Sequence, residues 1–410
     1  MELRPYQVEI VRRALAYPGF GIFCEQRTGK TLIALSIAQA RKPRRLLIVC
    51  PKIAIPVWES HLAKSELTCE VRILTYQSLW PHRHEIAKWA PQMIIADESH
   101  KLKGHMTYQS RALRFIGRRA QWRLALTGTP IAQGYQDAWA QMDFIDPTVF
   151  GRWRDFKERY LIYGGFENRK IVGYRNTSEL IERFNSRFFR VTLDEVQGKR
   201  TVIRSIKSMF DLHESKKIYR EMEKDLIATV NESRIVSQRV ITQVLKLQQI
   251  TGGFIYDTEE KKLHRVGYEK INRLLEIVSR IGDEPFVVFV RFLWEMEAIE
   301  NALLGLGITS AKISGKHQFN GDFSTRCVIV QIQSGMSIDL ARASIAIFYS
   351  LNHSYLDLEQ AKFRIRSFGK EAVTYYFLLA RGTVDEDIYA AVKGKRSVAV
   401  EICDKYRRAR

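Results

Sequence analysis

The sequence predicts an α/β protein with two domains, each built on a buried parallel β-sheet, and a mainly helical insertion between them. Two groups of short apolar runs, one near each end of the chain, indicate the two sheets. The runs are continuous rather than alternating, which is typical of strands buried on both faces of a parallel sheet. Segments with helical periodicity separate the runs, so we expect crossover helices between neighbouring strands.

The predicted elements alternate in order at both ends of the chain. In the first third, the predicted strands are 46–50, 71–75, 93–96 and 123–127. In the last third, they are 286–290, 327–332, 344–349 and 374–379. The helices expected between these strands include 30–41, 54–65, 293–305 and 356–364.

The middle of the chain differs in composition from both ends. It is rich in Arg, Lys, Glu and aromatic residues, and 214–250 has apolar residues at helical spacing. GlyGly pairs at 164–165 and 252–253 are expected breakpoints. The resulting domain prediction is a first lobe at 1–150, a mainly helical insertion or linker at 151–270, and a second lobe at 271–410.

Length and charge limit the classes of protein to consider. A chain of 410 residues can form two or three domain cores, and 46% hydrophobic with 27% charged residues is typical of soluble globular proteins. The 65 basic and 45 acidic residues leave a formal charge of +20. Such an excess favours a polyanionic partner, because neutralised phosphates release condensed counterions. A basic protein without such a partner is the alternative.

Cysteine usage and the amino-terminal sequence indicate the compartment. The five cysteines are scattered and lack CxxC pairing, which argues against a disulfide framework and a zinc site. The opening MELRPYQVEI has no apolar signal region, and no apolar run approaches the ~18 residues of a membrane span. We therefore expect a soluble, cytoplasmic protein without a membrane partner. The sequence leaves the oligomeric state open, and a monomer is compatible with it.

A phosphate-binding loop is predicted at CEQRTGKT, residues 24–31, where the helix 30–41 begins. Gly29 allows close backbone approach, and the N–H groups of a helix N-terminus can face a triphosphate. Lys30 would reach the β- and γ-phosphates, and the Thr31 hydroxyl can bind Mg²⁺. Cys24 replaces the first glycine of the full GxxxxGK[ST] pattern. By itself, a GKT tripeptide is weak evidence for such a loop.

Two adjacent carboxylates end the apolar strand MIIADESH, residues 93–100. Asp97 would hold Mg²⁺, and Glu98 would orient or deprotonate the attacking water. A simple helix cap is the alternative, but it explains neither the buried strand nor the GKT loop upstream. A third segment, LTGTP, follows the next apolar strand. The hydroxyls and backbone of Thr127, Gly128 and Thr129 could couple the acidic pair to the rest of the protein.

With these three segments in order, the sequence resembles the superfamily-two helicases and, within them, the Swi/Snf-type DNA translocases. The resemblance covers nearly the whole chain. LRPYQ (3–7), VCPKIAIPVWESH (49–61), LTYQSL (74–79) and DESHKLKG (97–104) resemble first-lobe motifs of the family. The continuation 129–160 is similar to Swi/Snf proteins rather than to general RNA helicases. QSGMSIDL (333–340), LEQAKFRIRSFGK (358–370) and GTVDEDIYAAVKGKRS (382–397) resemble second-lobe motifs.

This resemblance implies two RecA-like lobes that use ATP with Mg²⁺ and act on DNA. The residues then expected at ATP are Arg4, Gln7, Arg27, Thr28, Gly29, Lys30, Thr31, Gly335 and Asp339. The family places two arginines three residues apart in its sixth motif, with the second near the γ-phosphate. Arg364 fits the first position, but Ser367 occupies the second and Arg366 lies one residue early. Either Arg366 reaches the nucleotide through a shifted turn, or hydrolysis relies mainly on Arg364.

The expected nucleic-acid contacts are backbone contacts with little sequence specificity. The residues expected to make them are Lys52, Thr75, Gln77, Gln333 and Ser334. Lys101 and Lys103 are candidates that surface charge explains equally well. The function expected is an ATP-dependent translocase or helicase on duplex or branched DNA, in replication, recombination or repair. The alternatives are a nucleic-acid-binding module with a weakened ATPase and an RNA helicase of the same superfamily. The short length of the chain favours a phage or bacterial protein.

Overall fold

The computed structural model describes residues 2–131, 134–165, 167, 170–230, 236–257, 261–315, 325–333 and 340–404. Side chains within these ranges are described except those of 224–243 and 395–404. The chain folds into two compact units. The first is built on the residues up to Arg200 together with the end of the last helix from Lys395, and the second is Thr201–Gly394. Every helix in the described part of the chain is too short or too polar to cross a membrane.

The first unit contains a six-stranded sheet. Its strands are β1 (Gly19–Ile22), β2 (Arg45–Cys50), β3 (Glu70–Thr75), β4 (Met93–Asp97), β5 (Trp122–Leu126) and β8 (Phe188–Phe189). The order across the sheet is β3-β2-β4-β5-β1-β8, and every pair is parallel. A separate antiparallel hairpin is formed by β6 (Leu161–Gly164) and β7 (Lys170–Tyr174).

Helices pack on both faces of this sheet. They are α1 (Pro5–Leu15), α2 (Lys30–Arg41), α3 (Ile55–Ala63), α4 (Leu79–Trp89), α5 (Tyr108–Gly117), α6 (Asp137–Ile145), α7 (Trp153–Tyr160), α8 (Thr177–Asn185) and α9 (Leu193–Gln197). Alternate residues of one strand enter two different cores: Ile94 and Ala96 of β4 belong to one, and Met93 and Ile95 to the other. Burial on both faces explains why these strands are continuous apolar runs.

The second unit repeats this architecture. Its sheet contains β9 (Val202–Phe210), β12 (Phe286–Val290), β13 (Ser310–Ile313), β14 (Cys327–Gln331), β15 (Ile345–Phe348) and β16 (Ala372–Ala380). The strand order is β13-β14-β12-β15-β16-β9, again parallel throughout. Its other elements are α10 (Lys216–Val230), α11 (Val236–Thr251), β10 (Phe254–Asp257), β11 (Lys262–Arg265), α12 (Glu269–Arg280), α13 (Leu293–Leu304), α14 (Tyr355–Ile365) and the part of α15 (Val384–Asp404) that precedes Lys395.

The fold class predicted from sequence is confirmed, because both units are parallel sheets covered by helices. The division between the units differs from the expected boundaries at 150 and 270. Residues 151–200 belong to the first unit, since Phe156 of α7 and Phe184 of α8 lie in one of its two cores. The rest of the expected insertion belongs to the second unit, where β9 pairs with β16. The segment contains hairpins and sheet strands as well as helices.

Candidate functional site

The candidate site lies at the carboxyl edge of the first sheet, where the loops after five strands meet. Parallel strands place their carboxyl ends at one edge, which is where ligands bind in open α/β sheets. The loop 23–29 follows β1, Lys52 follows β2, and Gln77 follows β3. Asp97 and Glu98 lie at the end of β4, and the LTGTP segment follows β5. Five of the sequence motifs are therefore brought to one edge.

The loop before α2 is shaped for close approach to a ligand. Gly29 lies immediately before the helix with a φ of 78°, and no side chain caps the helix N-terminus. Lys30, the first residue of α2, donates from Nζ to the carbonyl oxygens of Cys24 and Glu25, each at 3.0 Å. Among the described residues, no carboxylate pairs with Lys30. Open helix N–H groups and a lysine held only by carbonyls are suited to an anion such as phosphate.

Helix α1 supports this loop from one side. The Tyr6 hydroxyl donates to the Thr28 carbonyl at 2.7 Å, and Gln7 Nε2 donates to the same oxygen at 3.1 Å. A Cβ at Gly29 would lie 2.4 Å from Gln7 Nε2, so a larger residue would have to move the Gln7 amide and would also be strained at a φ of 78°. Gln7 Oε1 accepts from the Arg4 backbone N–H at 2.9 Å. The structure thus brings Arg4 and Gln7 to the loop, while their contact with a nucleotide base stays a prediction.

The segment after β8 supports the loop from the other side. The backbone N–H of Glu25 donates to the Val191 carbonyl at 3.0 Å, and Glu25 Oε2 accepts from the Leu193 N–H at 2.9 Å. Phe23 N–H likewise donates to the Phe189 carbonyl. Residues that the sequence placed in the insertion therefore hold the predicted phosphate loop in position.

Asp97 is a partly buried carboxylate with an ordered set of donors. Trp58 Nε1 donates to its Oδ2 at 2.9 Å, and the Glu98 backbone N–H donates to its Oδ1 at 3.0 Å. The Tyr76 hydroxyl donates to the Asp97 carbonyl at 2.7 Å. Burial away from water raises the pKa of Asp97 to about 6, and the negative charge of Glu98 acts in the same direction. The Lys30 charge is near enough to lower that pKa, so the loop and the acidic pair are neighbours.

A chain of polar contacts connects Glu98 to the LTGTP segment. Glu98 has a left-handed backbone conformation, with φ 53° and ψ 49°, which turns the chain sharply after β4. His100 Nδ1 lies 3.2 Å from Glu98 Oε2 and 3.1 Å from Thr127 Oγ1. Thr127 Oγ1 also accepts from the Thr129 N–H at 3.1 Å. The Thr127 N–H donates to the Ile22 carbonyl, which joins the segment to the end of β1.

These residues fit a triphosphate with a divalent cation. A carboxylate whose pKa is raised by burial is stabilised by a nearby cation, and Asp97 provides oxygen ligands of the kind that Mg²⁺ prefers. Thr31 lies one residue after Lys30, at the start of α2, and is partly exposed. The Lys30 amine next to this pair supplies positive charge for the phosphates. The assignment of Thr31 and Asp97 as ligands of Mg²⁺ stays a prediction.

The predicted nucleic-acid residues of the first unit also lie at this edge. Lys52 and Gln77 are exposed, whereas Thr75 is half-buried. Thr75 Oγ1 hydrogen-bonds to the Ser78 hydroxyl at 3.1 Å. Gln77 and Lys52 are therefore accessible to a ligand. Thr75 instead shapes the turn that precedes α4. Their contact with nucleic acid stays a prediction.

The second-unit residues lie near the carboxyl end of its own sheet and at the end of α14. Gln333 is exposed after β14, while Ser334, Gly335 and Asp339 lie outside the described residues. Arg364 occupies the last turn of α14, which ends at Ile365. Arg366 follows in an extended conformation, is largely buried, and holds its guanidinium carbon 4.9 Å from the centre of the Phe363 ring. Lys370 Nζ donates to the carbonyls of Ala341, Ala343 and Ile365.

Sequence reasoning missed three side chains that organise the site: Trp58, Tyr76 and His100. Trp58 lies in the segment 49–61, which resembles a first-lobe motif, and only the fold shows that its indole reaches Asp97. Tyr76 stands between Thr75 and Gln77, and side-chain alternation at the end of a strand predicts that it points away from both. His100 is the histidine of the DESH segment, and a buried imidazole between two polar segments is the signal that could have identified it.

The parallel sheets, the GKT loop after β1 and the acidic pair after β4 define the class of protein: a phosphate-loop protein with two RecA-like units. Residues 60–252 match the family described as the SNF2-related domain, a range that includes the acidic pair and LTGTP. The match and the curated relatives confirm the resemblance to Swi/Snf-type proteins of helicase superfamily two that the motifs predicted.

Several curated proteins are similar over almost the whole chain. The human DNA annealing helicase and endonuclease ZRANB3 is 24% identical over 97% of this chain, which spans 40% of that protein. A SWI/SNF-related regulator of chromatin, subfamily A-like protein 1, from Xenopus tropicalis is 24% identical over 97% of this chain and 44% of its own length. Protein p41 of Acyrthosiphon pisum secondary endosymbiont phage 1 is 22% identical, with 96% of each chain covered.

A solved structure with similar features is the Sulfolobus solfataricus SWI2/SNF2 ATPase core in complex with dsDNA. Its TM-score is 0.46 and its sequence identity is 21%, covering 98% of this chain and 93% of that one.

Proposed function

We propose that this chain is an ATP-dependent DNA translocase, which hydrolyses ATP and moves along duplex or branched DNA. The observation that carries the proposal is the convergence of Lys30, the Asp97–Glu98 pair and Thr127 at one edge of one sheet. A binding protein needs the phosphate loop alone. The addition of a partly buried acidic pair, joined through His100 to a separate segment, is suited to hydrolysis that changes the protein.

Each residue of the first unit has a distinct role in this proposal. Lys30 binds the β- and γ-phosphates, and Gly29 lets the backbone N–H groups approach them. Thr31 and Asp97 would hold Mg²⁺, which would supply positive charge to the phosphate oxygens. Glu98 orients the attacking water and accepts its proton. Arg4, Gln7, Arg27 and Thr28 complete the nucleotide contacts from the loop and α1.

Proton acceptance by Glu98 and the movement of the motor are connected in this proposal through His100. His100 Nδ1 is shared between Glu98 and Thr127, so a change of charge at Glu98 alters the hydrogen bond at Thr127. Because Thr127 and Thr129 belong to the loop after β5, this change reaches a second segment of the unit. A motor requires an element with two conformations whose equilibrium is shifted by the bound nucleotide.

DNA is the proposed partner for two reasons. The chain carries a formal charge of +20, and Lys52 and Gln77 are exposed beside the candidate site. ZRANB3 is named as a DNA annealing helicase, and we infer that this chain shares DNA as its partner. Contacts through cations, amides and hydroxyls carry little base information, so we expect weak sequence preference. Replication, recombination and repair are the proposed settings, in the cytoplasm of a bacterial or phage-infected cell.

The proposal is tested by ATP hydrolysis measured with and without nucleic acid. The substrates are a fork, a Holliday junction, a blunt duplex, a single DNA strand and a single RNA strand. We expect duplex or branched DNA to stimulate turnover most. Turnover that no DNA stimulates would contradict the motor and support a binding module with a weakened ATPase. Stronger stimulation by RNA than by duplex DNA would identify an RNA helicase.

We expect Thr127→Val to separate hydrolysis from its stimulation. Valine keeps the shape but leaves the Thr129 N–H and His100 Nδ1 without their shared hydroxyl, and a buried unpaired group costs about 1–3 kcal/mol. DNA-stimulated turnover should fall roughly tenfold, while turnover without DNA changes little. Thr148→Val, at an exposed threonine of the same unit, is the matched control. Equal loss of both rates would show that Thr127 serves hydrolysis itself.

The irregular sixth motif gives a second prediction. If Arg366 replaces the usual arginine of the family, Arg366→Ala should lower kcat by about 10³-fold with little change in KM. Ser367→Ala should have no effect. Arg366 packs over Phe363, so thermal unfolding of each variant separates a loss of chemistry from a loss of fold. A large effect of Arg364→Ala with none from Arg366→Ala would assign the role to Arg364.

A further inference from the structure

An exposed surface of the first unit combines aromatic rings with arginines on two neighbouring helices, α4 and α5. We call it the aromatic–arginine surface, formed by Trp80, Arg83, Tyr108, Arg111, Phe115 and Arg119. None of these residues belongs to the candidate site described above. The surface begins one turn after Gln77, and so it continues outward from the edge where nucleic acid is proposed to bind.

The sequence of α5 produces this surface by its spacing. The Thr107 side chain caps the helix by accepting from the Ser110 N–H. Tyr108, Arg111 and Phe115 then recur at three- and four-residue spacing and share one face. The opposite face packs into the core through buried residues. Those residues are Ser110, Ala112, Leu113, Ile116 and Gly117.

The rings and the guanidinium groups are ordered by contact with one another. Around Trp80, the guanidinium carbon of Arg83 lies 4.1 Å from the ring centre, and that of Arg111 lies at 5.0 Å. The Tyr108 ring is 4.8 Å from the Trp80 ring, centre to centre. Arg119 lies 4.8 Å over the Phe115 ring. Arg83 donates one N–H to the Trp80 carbonyl oxygen at 2.6 Å, and the donors that remain on the stacked guanidinium groups lie at their edges, where they suit phosphate.

The surface has a strong charge imbalance. Helix α5 contains no acidic residue, and the one glutamate of α4, Glu85, pairs with Arg72 at 2.9 Å. Within the described chain, no carboxylate forms an ion pair with Arg83 or Arg111. Tyr108 is nevertheless 64% exposed, and the neighbouring Met106 is 66% exposed. Large exposed apolar groups next to unpaired cations mark an interaction site for an anion that also has apolar faces.

We propose that the aromatic–arginine surface binds single-stranded DNA. An unpaired strand presents both a phosphate backbone for Arg83 and Arg111 and open base faces for Tyr108. A duplex presents phosphates but buries its base faces in the stack, so it leaves the exposed rings unused. An acidic peptide lacks flat faces of that size. The inference rests on the proposed function, because it makes DNA the partner, and it extends that function to the unpaired arm of a branched substrate.

The test measures binding of a fluorescent oligo-dT strand to the full chain without nucleotide. Tyr108→Ala/Arg111→Ala should weaken Kd roughly tenfold or more, through lost stacking and one lost phosphate contact. For the double variant, the slope of log K against the logarithm of the salt concentration should become shallower by about 0.7. Tyr108→Phe should bind as the unaltered chain does, since phenylalanine stacks equally well.

A matched control comes from the second unit. Arg265 lies 4.4 Å over the ring of Tyr268, which is 48% exposed, so Arg265→Ala/Tyr268→Ala makes the same chemical change elsewhere. Its affinity for the strand should be unchanged. Unchanged affinity of Tyr108→Ala/Arg111→Ala would overturn the proposal. Equal weakening of duplex and single-strand binding would overturn it in favour of a duplex-binding surface.

The two proposals fail in different ways. Single-strand binding is measured without ATP, so its result does not depend on ATP turnover. If no DNA stimulates turnover, the binding experiment still shows whether the strand binds through this surface. Conversely, if DNA stimulates turnover while the single-strand affinity does not depend on Tyr108 and Arg111, the proposed motor stands and the proposed single-strand surface is wrong. Duplex-stimulated turnover of Tyr108→Ala/Arg111→Ala should match that of the unaltered chain.

Discussion

The Lys30→Ala variant should lose ATP turnover, with kcat reduced by about 10³-fold. Lys30 is the first residue of α2, and its amine is held by two carbonyl oxygens and forms no ion pair with a carboxylate of the described residues. An amine so placed has no structural ion pair to maintain. Its removal takes away positive charge aimed at the phosphates, and loss of one such preorganised group costs about 10²–10³ in rate.

The measurement is steady-state ATP hydrolysis in the presence of duplex DNA. Lys64→Ala, at an exposed lysine following α3, is the control for a general loss of positive charge. Affinity for DNA without nucleotide should be kept, because Lys30 lies in the proposed nucleotide site. Turnover within threefold of the unaltered chain would contradict the proposed ATPase altogether.

The second large effect concerns the stability of the second unit. Lys270 Nζ pairs with Asp385 Oδ2 at 2.8 Å, and both side chains are almost fully buried, at 1% and 4% exposure. Asp385 also accepts from the Thr251 hydroxyl at 3.0 Å. Lys270→Met would leave this carboxylate buried without its cation. Breaking a buried pair from one side costs about 3–5 kcal/mol, so the free energy of unfolding of this unit should fall by that amount.

Denaturant unfolding, followed by a probe in the second unit, measures this loss. The double variant Lys270→Met/Asp385→Leu removes both charges and should recover part of the stability. The exposed pair Arg381–Asp211, at 2.6 Å, is the matched control. Arg381→Met should lower the free energy of unfolding by less than about 1 kcal/mol. Similar losses at the two pairs would show that burial does not set the cost.

Elements buried on both faces of a sheet could be predicted closely from the sequence. The apolar run predicted at 286–290 is strand β12, and the helix predicted at 30–41 is α2. Strand β1 was missed because GFGI holds two glycines in four residues. The structure explains Gly19, since a Cβ there would lie 1.9 Å from the Ile145 carbonyl oxygen. A strand that must allow such an approach cannot show the usual β-branched run.

Strand β9 was missed for a different reason. Most of its residues are exposed at the edge of the sheet, so its apolar residues are interrupted by Arg204 and Lys207.

The candidate site likewise contains residues that the sequence could predict and residues that it could not. Lys30 and Asp97 could be predicted from the sequence, because each lies in a short motif whose neighbouring residues serve the same chemistry. The contact of Trp58 with Asp97 joins helix α3 to the end of strand β4, 39 residues apart in the chain, and no local pattern encodes it.

The pairing of β9 with β16 has a consequence for how the protein is made. The first sheet is complete once Phe189 has been synthesised, so this unit can begin to fold while the ribosome is still translating the rest. Strand β9 must wait about 160 residues for β16, which takes roughly 10–30 s at ordinary rates of translation. During that time its Val202, Ile203 and Ile206 have no partner strand. The nascent second unit is therefore the stage at which chaperones and aggregation compete for this chain.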